Sequence, residues 1–302
     1  MTKELYSQLE RHNYKGKVIS VEHLHELKDD IRGRRRKGLF DEEFYREDLT
    51  FFDFQIPRSL PEAQSLIVVA AFQPQIKISF LWNGESFPLI VPPTYSYSTD
   101  RNVKGLLEGL LPPEGYHLTE SALPLKLLAV HSGLAQYGKN NISYAKGFGS
   151  FYRLAAFFTD LPSPEDNWGE LRTLERCDKC LACANACPTG AISSDRFLLY
   201  AERCITFHNE RRGEFPKWLN PTWHNSLVGC LHCQKCCPLN KDFVELIEER
   251  ETFDHDETAL LLQGMTRDKI PPETVRKLER LDIIEYLDEL PRNLSVLLKK
   301  QQ

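Results

Sequence analysis

The nine cysteines of this 302-residue chain all lie between Cys177 and Cys237. A disulfide scaffold spreads its bridges along a chain, so clustering of this kind points to metal. Cys177, Cys180, Cys183 and Cys187 are separated by two, two and three residues, and Pro188 follows the last of them. Such spacing lets one short turn wrap three corners of a [4Fe–4S] cubane while the fourth thiolate reaches a second cluster. The proline ends the turn, having no N–H with which to continue a helix. A second run, Cys230, Cys233 and Cys237 before Pro238, is one cysteine short, and Cys204 fills the gap. By the crossed pairing, cluster one takes Cys177, Cys180, Cys183 and Cys237, and cluster two takes Cys187, Cys204, Cys230 and Cys233. Cys236 is the ninth thiol and competes with Cys237, but only Cys237 has the spacing and the proline found at Cys187. Zinc also uses paired cysteines two residues apart. Eight interleaved thiolates with two Cys-Pro endings favour iron–sulfur.

The rest of the chain reads as a packed α+β protein. A hydrophobic fraction of 41% supports a real core, and a formal charge of -5 gives no global attraction to nucleic acid or anionic lipid. The first 30 residues have no apolar h-region, and nothing in the chain approaches 18 apolar residues in a row. With thiolates that persist best in a reducing compartment, a cytoplasmic protein with no membrane partner is expected. Residues 1–60 read as mostly helical, with Ser20 as an N-cap and a basic run, Arg32 to Lys37, at a solvated helix end. Ser65 to Phe72 suits a strand buried on both faces, and Asn83-Gly84 marks a hairpin between Ile76 and Val91. Helical spacing covers Asn102 to Leu111 and Leu123 to Val130, and Phe151 to Thr159 is a second buried strand. Short amphipathic helices follow the cysteines. The expected division is an α+β domain over residues 1–170, a cluster domain over 171–245 and a helical segment over 246–302. Tyr95, Tyr97 and Tyr137 read as core or rim, and His208, His224 and His232 as neighbours of the clusters.

Four segments carry a family resemblance: HSGLAQYGKN (131–140), GSFYRLAAFFTD (149–160), RCDKCLACANACPTGAI (176–192) and GCLHCQKCCP (229–238), with Arg203-Cys204-Ile205 between the last two. Through them the chain resembles the epoxyqueuosine reductase family, cobalamin-dependent iron–sulfur enzymes related to reductive dehalogenases. The resemblance implies a nitroreductase-like cobalamin-binding sheet domain, a ferredoxin-like domain with two [4Fe–4S] clusters, and a short helical tail. It implies that Gly133, Gly138, Lys139 and Asn140 line the cobalamin, and that clusters charged by a ferredoxin or flavodoxin reduce the cobalt. The family's proton donor, an aspartate upstream of the glycine segment, corresponds to Glu120 here. Ala135, Gln136 and Tyr137 replace a Gly-Trp-Ile sequence, and Asp100-Arg101-Asn102 stands where the family has Asp-Tyr-His. The expected substrate is therefore a small molecule or a modified nucleoside. A tRNA is a further candidate, one that the balanced charge of the tail does not favour. The alternative is an electron-transfer or reductive-activation protein without its own cobalamin; a non-catalytic iron–sulfur remnant is the third.

Overall fold

The computed structural model describes residues 1–163 and 165–301. Helix α1 (Thr2–Arg11) buries Leu5 and Leu9, and strand β1 (Tyr14–Ser20) follows a turn in which Asn13 has φ 56°. The Ser20 hydroxyl accepts from the Glu22 N–H ahead of α2 (Leu24–Arg36), whose apolar face is Leu24, Leu27 and Ile31. At its C-terminus Arg34 pairs with Asp30 and Arg35 with Glu42, each at 2.9 Å. A single turn, α3 (Glu42–Phe44), precedes β2 (Ser65–Phe72). Strands β3 (Gln75–Trp82) and β4 (Glu85–Val91) form the expected hairpin, with Asn83 (φ 50°) and Gly84 (φ 82°) both in the left-handed region that a type I′ turn requires. There follow α4 (Ser98–Leu110), β5 (Leu118–Glu120), α5 (Leu125–His131), the two-residue strands β6 (Gln136–Tyr137) and β7 (Ser143–Tyr144), and β8 (Tyr152–Thr159). The cysteine region forms three short helices: α6 (Ala182–Ala186), α7 (Ile205–Asn209) and α8 (His232–Lys235). Strand β9 (Ile247–Phe253) and helices α9 (His255–Leu262), α10 (Pro272–Arg280) and α11 (Leu290–Gln301) complete the chain.

These elements gather into two compact units. The first contains Met1–Phe72, Thr99–Leu181 and Ser194–Tyr200; the second contains Gln73–Ser98, Ala182–Ser193 and Ala201–Gln302. The division differs from three consecutive segments because β3 pairs in parallel with β9, which draws the hairpin and the tail into one unit.

In the first unit the sheet order is β1-β2-β8-β5, antiparallel throughout. β2 is interior, and alternation along it feeds two cores. Leu66, Val68 and Ala70 face Leu24, Leu27, Leu127 and Leu128, whereas Ile67, Val69 and Ala71 face Leu5, Leu9, Val103 and Leu107. A continuous apolar run is what burial on both faces demands. Gly16 in β1 admits α1 closely: a Cβ there would lie 2.5 Å from Leu9 Cδ1. The expectation of a mostly helical first 60 residues therefore misses β1, a strand whose two lysines and glycine disguise its pattern.

The second unit has the order β4-β3-β9. Ile76, Ile78, Phe80, Leu89 and Val91 pack with Leu261, Leu278, Leu290, Leu294 and Leu297, and Phe80 stacks on Phe253 with centroids 4.9 Å apart. The tail is thus not purely helical. β9, IEERETF, looks like a solvated helix in sequence, but charge suits an edge strand that must not pair further. No helix among the described residues is long and apolar enough to cross a membrane.

Truncating Ile67, which is fully buried, to alanine is expected to destabilise the chain by roughly 2–5 kcal/mol. The same change at exposed Glu248 is expected to fall within about 0.5 kcal/mol. Thermal unfolding followed by circular dichroism checks both, and equal effects would contradict a two-sided core around β2.

Candidate metal centre

Both cysteine runs end in the same local structure. In the second unit, α6 carries Cys183, α8 carries Cys233, and the two helices pack against each other. The Cys187 N–H donates to Ala184 O, and the Cys237 N–H to Gln234 O, both at 3.3 Å. After the prolines, the Gly190 N–H returns to Cys187 O at 3.3 Å and the Asn240 N–H to Cys237 O at 2.9 Å. Each run is therefore a helical turn closed three residues back and reopened three residues on. In the first unit, the Cys177 N–H donates to Leu174 O at 2.8 Å and the Cys180 N–H to Cys177 O at 3.3 Å.

All nine cysteines are half-buried thiols. Burial pushes the Cys204 thiol pKa up and Cys187 adds to the rise, although donors at Thr206 and Phe207 oppose it. Cys230 is pushed up to about 12, first by burial and then by the neighbouring Cys204 and Cys187, against donors at His232 and Asn225. Three of the four thiols expected at cluster two thus feel one another's charge. Among the described residues no three His, Cys, Asp or Glu side chains close on one point as ligands of a single ion do. A cubane asks instead for thiols set around a body of iron and sulfide, whose cations relieve the repulsion among them. The donor set fits such a cluster.

The first unit holds a cavity of about 360 Å³ lined by Gly138, Lys139, Thr173, Cys177, Arg196 and Phe197, among others. Gly133 (φ 72°) ends α5, a conformation that glycine adopts without strain. Gly138 is required by packing, because a Cβ there would lie 2.6 Å from the Tyr144 ring and 2.7 Å from Asn140 Oδ1. Asn140 is 2% exposed. Its amide donates to Tyr144 Oη at 3.0 Å, and its carbonyl accepts from the Ile142 N–H at 3.3 Å. Glu120 lies on the edge strand β5, largely exposed, accepts from Lys104 Nζ at 2.8 Å and does not line the cavity.

The segment leading to Cys177 is held by a feature that sequence spacing did not reveal. Trp168 is sandwiched between His23 (centroids 4.3 Å apart) and His131 (4.7 Å), nearly parallel to both, and donates to Glu26 at 3.0 Å. His23 bridges Glu26 at 2.6 Å and Asp166 at 2.5 Å. His131 Nδ1 donates to Gly169 O at 2.6 Å, and its other nitrogen faces Asp30 at 4.0 Å, an ion-pair distance. Farther along, the Tyr137 N–H donates to Arg172 O and the Leu174 N–H to Tyr137 O, each at 2.8 Å, which fixes the approach to Cys177.

The family described as a 4Fe-4S double cluster binding domain matches residues 176–240. Among curated proteins, the Escherichia coli (strain K12) epoxyqueuosine reductase is 38% identical over 115 residues, which cover 38% of this chain and 29% of that protein. The Pseudomonas aeruginosa enzyme is 34% identical over 132 residues, 43% of this chain and 36% of its own length. Over these segments the chain is similar to the epoxyqueuosine reductases. The matched segment spans about a third of those relatives. The fold extends the likeness. The Bacillus subtilis epoxyqueuosine reductase structure covers 95% of this chain and 77% of its own with a TM-score of 0.67 at 24% identity, and the Streptococcus thermophilus structure covers the same shares at 0.65 and 20%.

Iron–sulfur chemistry thus rests on the cysteine region, where family match and donor set agree. The corrinoid expected from the epoxyqueuosine reductase resemblance is less well served within the first unit. Of the four positions named for it, Gly138 and Lys139 line the cavity, Gly133 caps a helix and Asn140 turns inward to Tyr144. Within the first unit, two of the four positions therefore face this cavity and two do not. A cavity of about 360 Å³ also lies at the lower end of what a drug-sized ligand occupies, well short of a macrocycle.

Burial opposes protonation of His23 and His131, yet Glu26 and Asp166 around the one, and Asp30 and the Gly169 carbonyl beside the other, raise both above the ordinary imidazole value of 6.5. A raised histidine contributes stability that is complete below the unfolded value and is lost as pH rises through the folded one. The chain is therefore expected to lose thermal stability as the pH rises above the ordinary imidazole value of 6.5, and His23→Gln and His131→Gln are each expected to flatten that slope. Unfolding midpoints of the three proteins over this rise in pH decide it.

Proposed function

We propose that this chain is an iron–sulfur reductase with two [4Fe–4S] clusters, one on Cys177, Cys180, Cys183 and Cys237 and the other on Cys187, Cys204, Cys230 and Cys233. The observation that carries the proposal is the repeated Cys-Pro turn, closed by the same pair of backbone hydrogen bonds at Cys187 and Cys237. Each cubane passes one electron at a time, so two in series deliver the pair that a two-electron reduction consumes. The donor is a low-potential one-electron carrier of the ferredoxin or flavodoxin class. One solved relative is an epoxyqueuosine reductase with an epoxyqueuosine-modified tRNA stem loop, which makes a modified nucleoside the proposed substrate class.

No step is routed through a corrinoid: of the residues expected to hold it, Asn140 is engaged by Tyr144 and Gly133 ends α5. Glu120 is the acid that the resemblance nominates. Its carboxylate is occupied by Lys104, so a proton from it would require that ion pair to open.

Anaerobic purification with iron, sulfide and cobalt analysis tests this reading. About eight irons per chain are expected, falling to about four in Cys187→Ser, because each cubane contains four. Cobalamin titrated into the reconstituted protein is expected to leave the corrinoid spectrum unchanged. Zinc in place of iron would overturn the cluster assignment, and stoichiometric cobalamin binding would restore the corrinoid route with Glu120→Gln as its next test.

A further inference from the structure

Cluster two sits in a part of the second unit with little helix of its own. Cys204 is the N-cap of α7, a helix of five residues, and Cys230 follows Gly229 in a loop. A helix leaves its last four carbonyls without internal partners, so in α7 nearly every carbonyl needs a donor from elsewhere. Helix α11 supplies those for the last two, His208 and Asn209. Asn293, fully buried, donates its amide to Asn209 O at 2.9 Å and to Leu227 O at 3.0 Å. Asn209, also fully buried, donates its own amide to Gly229 O at 2.8 Å, the carbonyl before Cys230. Arg292 donates to His208 O at 2.7 Å, to Arg211 O at 2.9 Å and to Gly213 O, while its guanidinium lies 3.9 Å from the centroid of the Phe215 ring. Two adjacent side chains of one helix thereby hold the end of α7 and the approach to Cys230 together. Gly229 (φ 64°) has no room for a Cβ because the Tyr95 ring packs against it, and Tyr95 in turn donates to Glu210.

We propose that α11 is the clamp of cluster two, with Asn293 and Arg292 as positioning residues that hold Cys204 and Cys230 at the separation the cluster needs. Neither residue bonds to a cysteine in these contacts. Both act through backbone carbonyls of residues 208–213 and 227, and none of these bonds reaches a residue next to Cys177, Cys180, Cys183 or Cys237. The inference rests on the two-cluster reading and adds that one cluster is conditional on the C-terminal helix.

Asn293→Asp keeps the side-chain shape but sets a carboxylate against two carbonyls, removing the donor. After anaerobic reconstitution and desalting, it is expected to hold about four irons per chain where the unmodified chain holds about eight. The electron paramagnetic resonance signal of the remaining reduced cluster is expected to be unchanged. Arg292→Lys keeps the charge but not the fork. It is expected to retain both clusters and to release half of its iron to a chelator about tenfold faster, as loss of roughly one charged hydrogen bond allows. Leu294→Ala, a buried neighbour on the same helix, is the control: a lower unfolding midpoint with about eight irons retained. Eight irons and unaltered release in Asn293→Asp, or loss of both clusters together, would overturn the clamp alone. An unmodified chain without eight irons would overturn the cluster reading and the clamp with it.

Discussion

Thiols that crowd one another resist ionisation, and the cysteine region is built around that resistance. Cys187 adds to the proton affinity of Cys204, and Cys187 and Cys204 to that of Cys230, on top of what burial does, so cations among them favour the thiolates. Iron must displace those protons, which couples cluster assembly to the folding of the surrounding chain. The secondary structure there has little to offer by itself: α6, α7 and α8 run to five, five and four residues, against the roughly 12–15 at which an isolated helix becomes even marginal. Small apolar contributions from Ile192, Ile205, Leu227 and Leu231 cannot replace the cross-link. The region is held instead by hydrogen bonds reaching in from α11 and, on this reading, by iron.

Where burial on a face governed local structure, the fold was legible in the sequence. Leu66 to Ala71 had to be interior because its unbroken apolar run leaves neither face for water, and the structure gives it two cores, one for each set of alternate residues. Asn83-Gly84 declared its turn through the only residue types that accept positive φ cheaply at both positions. β1 and β9 were opaque for the opposite reason. Their partners are backbone groups, and Tyr14–Ser20 and Ile247–Phe253 carry lysines, glutamates and an arginine on exposed edges, where a propensity reading sees a loop or a helix. The gathering of residues 73–98 with the tail could not be inferred either, since it follows from a parallel pairing between residues some 170 positions apart.

The same contrast holds at the site. Cysteine spacing is a local record of how a chain wraps a cubane, so candidate ligands can be named from it. Asn209, Asn293 and Arg292 read as surface polar residues, because nothing local distinguishes a buried asparagine that satisfies two carbonyls from an exposed one. Trp168 stands in a polar stretch, and His23 and His131 lie far from it along the chain, so their stacking exists only in three dimensions.

The glycine segment shows how a motif can persist for more than one physical reason. A glycine beside a flat macrocycle and a glycine beneath a tyrosine ring both exclude a Cβ, and the sequence writes them alike. Here the neighbour of Gly138 is Tyr144, whose hydroxyl accepts from the same Asn140 that the resemblance would turn toward a cofactor. A side-chain amide engaged at both ends inside the protein can be recruited to a ligand only by breaking bonds that hold the turn, and an unsatisfied buried hydroxyl would remain behind. The turn in turn shapes the segment that carries Lys139 to the wall shared with Cys177. The motif therefore has a packing role at the approach to Cys177 that needs no cofactor, and a glycine there would be kept for that reason by itself.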